Sequence, residues 1–201
     1  AESFELLCDA ADVPLDESNL VTKAVRIFER VTGKACPWRI TLEKNVPHGA
    51  GLGGGSSDAA TTLLALNELE NAGLSNDQLV GMAAEIGSDI PFFIFRKICK
   101  IKGRGEIVRP VQSDEVPGLL GTKILLLKPS FGVSTPDAYK HCMTASALPD
   151  VDYAPTPMSW GSMVNDLEKP VFRKYIFLAE MKMWLRAQPE VSTAMMSGSG
   201  S

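Results

Sequence analysis

Asn45-Val46-Pro47-His48-Gly49-Ala50-Gly51-Leu52-Gly53-Gly54-Gly55-Ser56-Ser57-Asp58-Ala59-Ala60 is the stretch on which the reading of this chain turns. Five glycines fall within seven residues, 49–55, and Ser56 and Ser57 follow directly. Glycine admits positive φ and lets backbone N–H groups come close to a ligand. A helix opening at the serines adds unpaired amide donors and a partial positive charge. Together these features predict a cradle for phosphate. A flexible Gly/Ser linker is the bland alternative, but a strand pattern precedes the stretch and an apolar-periodic helix pattern follows it. A Walker A loop requires a lysine after its last glycine, and none stands here. A dinucleotide fingerprint is formally present as Gly49, Gly51 and Gly54. Pro47 and His48 lengthen its approach, however, and the residues beyond Gly73 read as a helix rather than a second strand ending in an acid.

Upstream of the loop, Trp38, Ile40 and Leu42 alternate with Arg39, Thr41 and Glu43, the period-2 mark of a half-buried strand. Before that, Ser18 and Asn19 cap a helical run in which Leu20, Ala24, Ile27, Phe28 and Val31 recur, ending at Gly33; residues 2–8 read as a strand. Downstream, a helix is predicted over about 56–71, with Ala59, Ala60, Leu63, Leu64 and Leu66 apolar and Gly73 ending it. Ser75-x-x-Gln78 is a capping box for the next helix, which carries Leu79, Met82, Ala83 and Ile86 and stops at Gly87. Residues 92–95 and 106–111 predict two short strands, and the polar, Pro/Gly-containing stretch 114–121 marks a domain boundary. Domains of 1–114 and 115–201 are therefore expected.

Beyond the boundary, 123–128 has the pattern of a buried strand, and Ser134-Thr135-Pro136 caps a helix running to about 144. Three prolines in 146–157 indicate an irregular loop; helices over about 158–166 and 168–187 follow, and 191–195 begins a strand. Met181, Met183 and Trp184 read as packing residues of the last helix. Helices and strands mix without strict βαβ alternation, which indicates the α+β class.

With 201 residues, 45% apolar and 22% charged, the chain has the composition of a soluble globular protein of one or two domains. A net charge of −4 argues against a general nucleic-acid binder. It does not argue against ATP, because local donors and Mg²⁺ handle phosphates. No apolar run approaches the roughly 18 residues of a membrane span, so no membrane partner is expected. Cys8, Cys36, Cys99 and Cys142 form no Cys-x-x-Cys pair, which favours reduced thiols in a reducing compartment. Two histidines, His48 and His141, are too few for a His-rich metal site.

Four stretches, taken in order, resemble the motifs of the GHMP kinases, which phosphorylate small alcohols and acids. They are the loop from Pro47 to Ala60, Gly87-Ser88-Asp89-Ile90-Pro91-Phe92-Phe93, Gly103-Arg104-Gly105-Glu106, and Met196-Ser197-Gly198-Ser199-Gly200-Ser201. Asn19-Leu20-Val21 and Pro129-Ser130-Phe131-Gly132-Val133-Ser134-Thr135 add weaker agreement. The triple glycine followed by Ser-Ser-Asp-Ala-Ala is most similar to the branch that phosphorylates diphosphocytidyl-methylerythritol in the non-mevalonate isoprenoid route. Homoserine and mevalonate kinases are the alternatives within the family, and a non-catalytic nucleotide-binding protein of the same fold is the alternative outside it.

The resemblance implies an α+β, two-domain fold: a ribosomal protein S5 domain 2-like N-terminal domain and a ferredoxin-like C-terminal domain, here truncated at both ends. A segment with a catalytic-site lysine and the aromatic contacts to cytosine is expected upstream, and a last strand and helix downstream. The resemblance also implies ATP and Mg²⁺ as cofactors, diphosphocytidyl-methylerythritol as small-molecule partner, and a monomer or weak homodimer. It further implies a cytoplasmic location, with the plastid stroma as the alternative.

Asp89 stands in Gly-Ser-Asp-Ile-Pro between a helix end and the strand expected over 92–95, where loop residues reach a cleft. On the residues alone, a carboxylate that accepts a hydroxyl proton and one that bonds its own turn backbone are equally good readings. The resemblance implies the catalytic base. It also assigns nucleotide binding to Pro47, Gly49, Gly51, Leu52, Gly53, Gly54, Gly55, Ser56 and Ser57, and places Ser56 at the metal. Capping is the competing role for one of the serines. Asp58 can simply favour the helix dipole. Ser197, Gly198 and Ser199 are implied to form a second nucleotide loop brought against the phosphates from the second domain; a loose tail is the alternative. Ser134 and Thr135 read either as helix caps or as substrate-facing residues. Arg96, Lys97, Lys100, Lys102 and Arg104 depart from the family pattern and read as a solvated face.

Overall fold

The computed structural model describes residues 3–46 and 51–200. Two of the expected nucleotide contacts, Pro47 and Gly49, lie outside the described residues. The chain forms two compact units, one built from residues up to 46 together with 53–112, the other from 51–52 together with 113–200.

In the first unit, β1 (Glu5–Cys8) pairs in parallel with β2 (Arg39–Leu42), Leu6 facing Ile40. The connection is α1 (Leu20–Thr32), which starts where the Asn19 side chain accepts the Val21 N–H at 2.8 Å and stops at left-handed Gly33. Its face of Val21, Ala24, Val25, Ile27 and Phe28 is buried. Next come α2 (Gly54–Leu69) and α3 (Asn76–Ile86), the latter opened by the reciprocal Ser75–Gln78 capping box. A five-residue helix, α4 (Ile90–Ile94), and an antiparallel hairpin of β3 (Cys99–Lys102) and β4 (Ile107–Pro110) complete the unit.

Phe28, Leu63, Leu66, Leu79 and Ile90 are fully buried where the four helices meet. Each is worth roughly 1.5–3 kcal/mol of transfer free energy, so this helical layer holds α1 to α4 together.

Two expectations in this unit are corrected. Residues 92–94 are helical and Phe95 is the C-cap, where a strand was expected over 92–95. Pro91 stands in the first turn of α4, where its missing N–H leaves no bond unmade, and Ile90 and Ile94, one turn apart, are both buried. Helix α2 begins inside the triple glycine at Gly54, two residues before Ser56. The β3 strand was not foreseen because its cations masked the pattern; Arg96, Lys97, Lys100, Lys102 and Arg104 are all exposed.

The second unit contains α5 (Thr135–His141), a short hairpin of β5 (Thr156–Met158) and β6 (Gly161–Met163), then α6 (Glu168–Lys174) and α7 (Ile176–Arg186). The Ser134 hydroxyl caps α5 by accepting the Asp137 N–H at 3.4 Å. Ala138, Leu167, Val171, Phe172, Leu178 and Ala179 form its core.

The helix expected over 158–166 is instead the β5–β6 hairpin, and that over 168–187 breaks at Tyr175 into α6 and α7. Met183 and Trp184 are exposed, because the buried face of α7 is Leu178, Ala179 and Lys182. Residues 123–128 and 191–195 carry strand composition but join no ladder among the described residues. Ile124 is 77% exposed and Leu125 71%. A strand exists only through a neighbour that takes its hydrogen bonds, and composition cannot supply one.

Candidate nucleotide and catalytic site

The start of α2 is built from backbone alone. Gly53 occupies the N-cap position with φ +70°, and no side chain caps the helix. The first intrahelical bond runs from the Ser57 N–H to the Gly53 carbonyl at 2.8 Å. The N–H groups of Gly54, Gly55 and Ser56 therefore precede the ladder and point out of the helix end. Ser56 and Ser57 lie in the first turn, half-buried, rather than at the cap. Nothing in this turn is negatively charged, which leaves the positive end of the dipole open to an anion.

Sequence reasoning missed what stands beside it. Lys44 is only 9% exposed at its side chain and donates to the Asp58 carboxylate at 2.6 Å. Its Nζ would lie 3.8 Å from a Cβ placed on Gly54. Asp58 is thus paired with a lysine that stands two residues beyond the end of β2. A lysine three residues before Pro-His-Gly in the sequence carries no signal of such a contact, since its partner lies 14 positions on.

Asp89 occupies the N-cap position of α4 with φ −90° and ψ −13°, is exposed, and makes no side-chain cap bond. Its carboxylate has no hydrogen bond or ion pair among the described residues, so the turn-bonding role is not the one adopted. The turn is backed by the β3–β4 loop. There Gly105, at φ +123°, lies so close to the Ser88 carbonyl that a Cβ would overlap it. The same loop is closed by Glu106, whose carboxylate accepts the Arg104 N–H at 2.7 Å. Backbone bonds from its own N–H and that of Arg104 hold the Glu106 carboxyl below its ordinary range. One turn along α4, the Phe93 ring packs against Gly53, with Cζ 2.8 Å from where a Cβ would sit. A single short helix therefore carries Asp89 at one end and a wall of the α2 start at the other.

In the second unit, Gly51 (φ +65°) and the 196–200 turn are in contact. The Ser197 hydroxyl donates to the Gly51 carbonyl at 3.3 Å, and the Gly200 N–H donates to the Ser197 carbonyl at 2.9 Å. Leu52 is half-buried. Ser197 and Gly198 are exposed, whereas Ser199 is 7% exposed with its hydroxyl 2.7 Å from that of Thr135. The turn is not a loose tail: the Asn165 amide donates to the carbonyls of Met196 and Gly198, both at 2.7 Å, and Glu168 accepts the Met196 N–H at 2.9 Å. Neither Asn165 nor Glu168 was legible as part of a site. Asn165-Asp166-Leu167-Glu168 reads locally as a helix start, and the partners lie about 30 residues away.

All four cysteines are free; Cys36 is buried, and burial, helped by Glu29 and Glu70, pushes its thiol up to about 11. No described helix is long and apolar enough to cross a membrane.

The GHMP kinases N terminal domain matches residues 19–97. The 4-diphosphocytidyl-2-C-methyl-D-erythritol kinase of Methylacidiphilum infernorum is 44% identical over 194 residues, covering 94% of this chain and 64% of that protein. A crystal structure of 4-(cytidine 5'-diphospho)-2C-methyl-D-erythritol kinase superposes with a TM-score of 0.71 at 31% identity, over 99% of this chain and 71% of that one. Homoserine kinase from Cytophaga hutchinsonii shares the fold, with a TM-score of 0.64 at 17% identity over 98% of this chain and 70% of that one. The chain thus spans about two thirds of the length of the proteins it matches. By sequence identity and by fold, it belongs to the GHMP kinase family, in the branch of the 4-diphosphocytidyl-2-C-methyl-D-erythritol kinases.

Proposed function

We propose that this chain carries the catalytic machinery of an ATP-dependent kinase acting on the 2-hydroxyl of 4-diphosphocytidyl-2-C-methyl-D-erythritol. The observation that carries the reading is α4, which joins Asp89, a carboxylate with no partner among the described residues, to the glycine-built start of α2. Phosphoryl transfer asks for little else from a protein: an anion cradle, and a group that orients the attacking hydroxyl.

The free amides of Gly54, Gly55 and Ser56 hold the phosphates, with Gly51, Leu52 and Gly53 shaping the approach and Ser57 completing the turn. Ser197 and Gly198 add exposed contacts from the second turn. Ser199 contributes through the backbone, because its hydroxyl is engaged with Thr135. Pro47 and Gly49 belong to the same proposed set.

Asp89 accepts the proton of the 2-hydroxyl, or holds it in line, as the oxygen–phosphorus bond forms and the bond to the departing ADP oxygen breaks. Such a base is worth roughly 10²–10⁴ in rate. The first turn of α2 offers hydroxyl oxygens, hard donors of the kind Mg²⁺ takes, and Ser56 would hold the ion. Held there with the nucleotide, Mg²⁺ would supply neutralisation of charge on the transferring phosphoryl group. The names of the relatives support the acceptor, a small diphosphocytidyl alcohol.

The test is ADP release by protein expressed from the complete gene, given Mg-ATP and, in turn, the diphosphocytidyl-methylerythritol alcohol, homoserine and mevalonate. Release with the first acceptor alone is the expected result. Release with one of the others would move the chain to a different substrate, and no release from folded, ATP-binding protein would leave a non-catalytic nucleotide binder.

A further inference from the structure

We infer that Asn165 and Glu168 are positioning residues that set the backbone of the 196–200 turn for its nucleotide contact, an inference that rests on the kinase reading. The two side chains come from one four-residue segment at the start of α6, and between them they hold three main-chain groups of the turn. Asn165 Nδ2 spends both of its hydrogens, one on the Met196 carbonyl and one on the Gly198 carbonyl, each at 2.7 Å. Its Oδ1 accepts the Leu167 N–H at 3.0 Å, which fixes which way round the amide sits. Only a carboxamide provides two donors and an acceptor in this fork; an aspartate would turn its lone pairs against two carbonyls.

Glu168 is 2% exposed and divides its two oxygens between different tasks. Oε2 accepts from Lys182 Nζ at 2.6 Å, and Oε1 accepts the Met196 N–H at 2.9 Å. Lys182, 8% exposed, is held in turn by the Asp152 carbonyl at 2.9 Å and lies 5.8 Å from the Tyr153 ring centroid and 6.0 Å from that of Phe172. A buried carboxylate is tolerated only when it is paired and its remaining lone pairs are satisfied. Here the remaining acceptor is satisfied by the turn itself. The segment is anchored to the core through Leu167, Val171 and Phe172, so the turn takes its position from α6.

The charge arrangement also matters. Without Lys182, an uncompensated anion would stand one hydrogen bond from a turn that must receive a polyanion. Neutralising both members of the pair should therefore harm nucleotide binding less than removing the lysine alone.

The experiment uses protein from the complete gene and the variants Asn165→Ala, Glu168→Gln, Lys182→Met and Glu168→Gln/Lys182→Met. Two readouts are taken: peptide-resolved backbone hydrogen exchange, and KM for ATP and for the acceptor alcohol. Expected are faster exchange confined to 195–200 in Asn165→Ala and Glu168→Gln, with α6 and α7 unchanged. KM for ATP should rise about tenfold, as for two lost hydrogen bonds, while KM for the alcohol stays within about twofold. Lys182→Met should be worse than the double variant. Unchanged exchange and unchanged KM for ATP would overturn the inference. So would exchange that rises across the whole unit together with both KM values, which is the mark of a merely structural pair. Faster exchange confined to the turn in the variants, with a wild-type protein that turns over no ATP, would keep the clamp and overturn the kinase reading instead.

Discussion

The start of α2 and the 196–200 turn are both rich in glycine and serine, yet they are held in opposite ways. At α2 no side chain caps the helix; left-handed Gly53, with the Phe93 ring packed against it, gives the turn its shape. At 196–200 the glycines permit the turn, but Asn165 and Glu168 fix it. A cradle made of backbone fails when a Cβ is added to it. One hung from side chains fails when those are cut, wherever they lie in the sequence.

The sharpest way to break the backbone-built half is at Gly105, which packs against the Ser88 carbonyl just before Asp89. An alanine there must occupy the space of the Ser88 oxygen at φ +123°. Gly105→Ala is expected to cost on the order of 3 kcal/mol in urea unfolding and to lower kcat about 100-fold by displacing Asp89. Wild-type kcat in the variant would show that the hairpin does not set Asp89.

The two units also differ in what titrates inside them, and alkaline stability separates them. The Cys36 thiol is raised to about 11 in the first unit, so the folded state keeps a proton that the unfolded chain loses near its ordinary value. Stability is therefore intact below about pH 8.5 and is lost as pH rises toward 11, by on the order of 2–3 kcal/mol. Cys99, also raised by burial, acts in the same direction. In the second unit Tyr153 is raised by burial, and its loss begins only near pH 10. Urea unfolding at pH 8 and 9.8, followed by Trp38 in one single-tryptophan variant and Trp160 in another, should weaken the first unit alone. Cys36→Val should flatten that response, whereas equal losses in both units would contradict it.

The smallest of these effects is expected at Gly53. Its positive φ makes alanine strained, but the nearest obstacle is the far end of a ring, Phe93 Cζ at 2.8 Å, which can give way. Gly53→Ala should cost about 1–2 kcal/mol and raise KM for ATP roughly tenfold, checked by initial rates across ATP concentrations.

What was legible in the sequence was whatever is decided within a few residues. Asn19 and Gly33 bound α1, and Ser75 with Gln78 opens α3, because caps are local chemistry. The glycine loop and Asp89 stood out for the same reason. The errors share one cause. Phe92 and Phe93 suit strand or helix, and Pro91 in a first turn with buried Ile90 and Ile94 decides for helix. Residues 123–128 look like a strand and have no ladder partner among the described residues. Lys44, Phe93, Asn165 and Glu168 matter through groups that only the fold brings beside them.

The most direct test of the central claim is Asp89→Asn, measured for both ATP binding by calorimetry and substrate-dependent ADP release. The account predicts that nucleotide affinity stays within about twofold, since the cradle is backbone at α2, while turnover falls by roughly 10²–10⁴. Turnover that survives the substitution would remove Asp89 from the chemistry. Affinity lost together with turnover would mean that the carboxylate supports the cradle rather than the transfer.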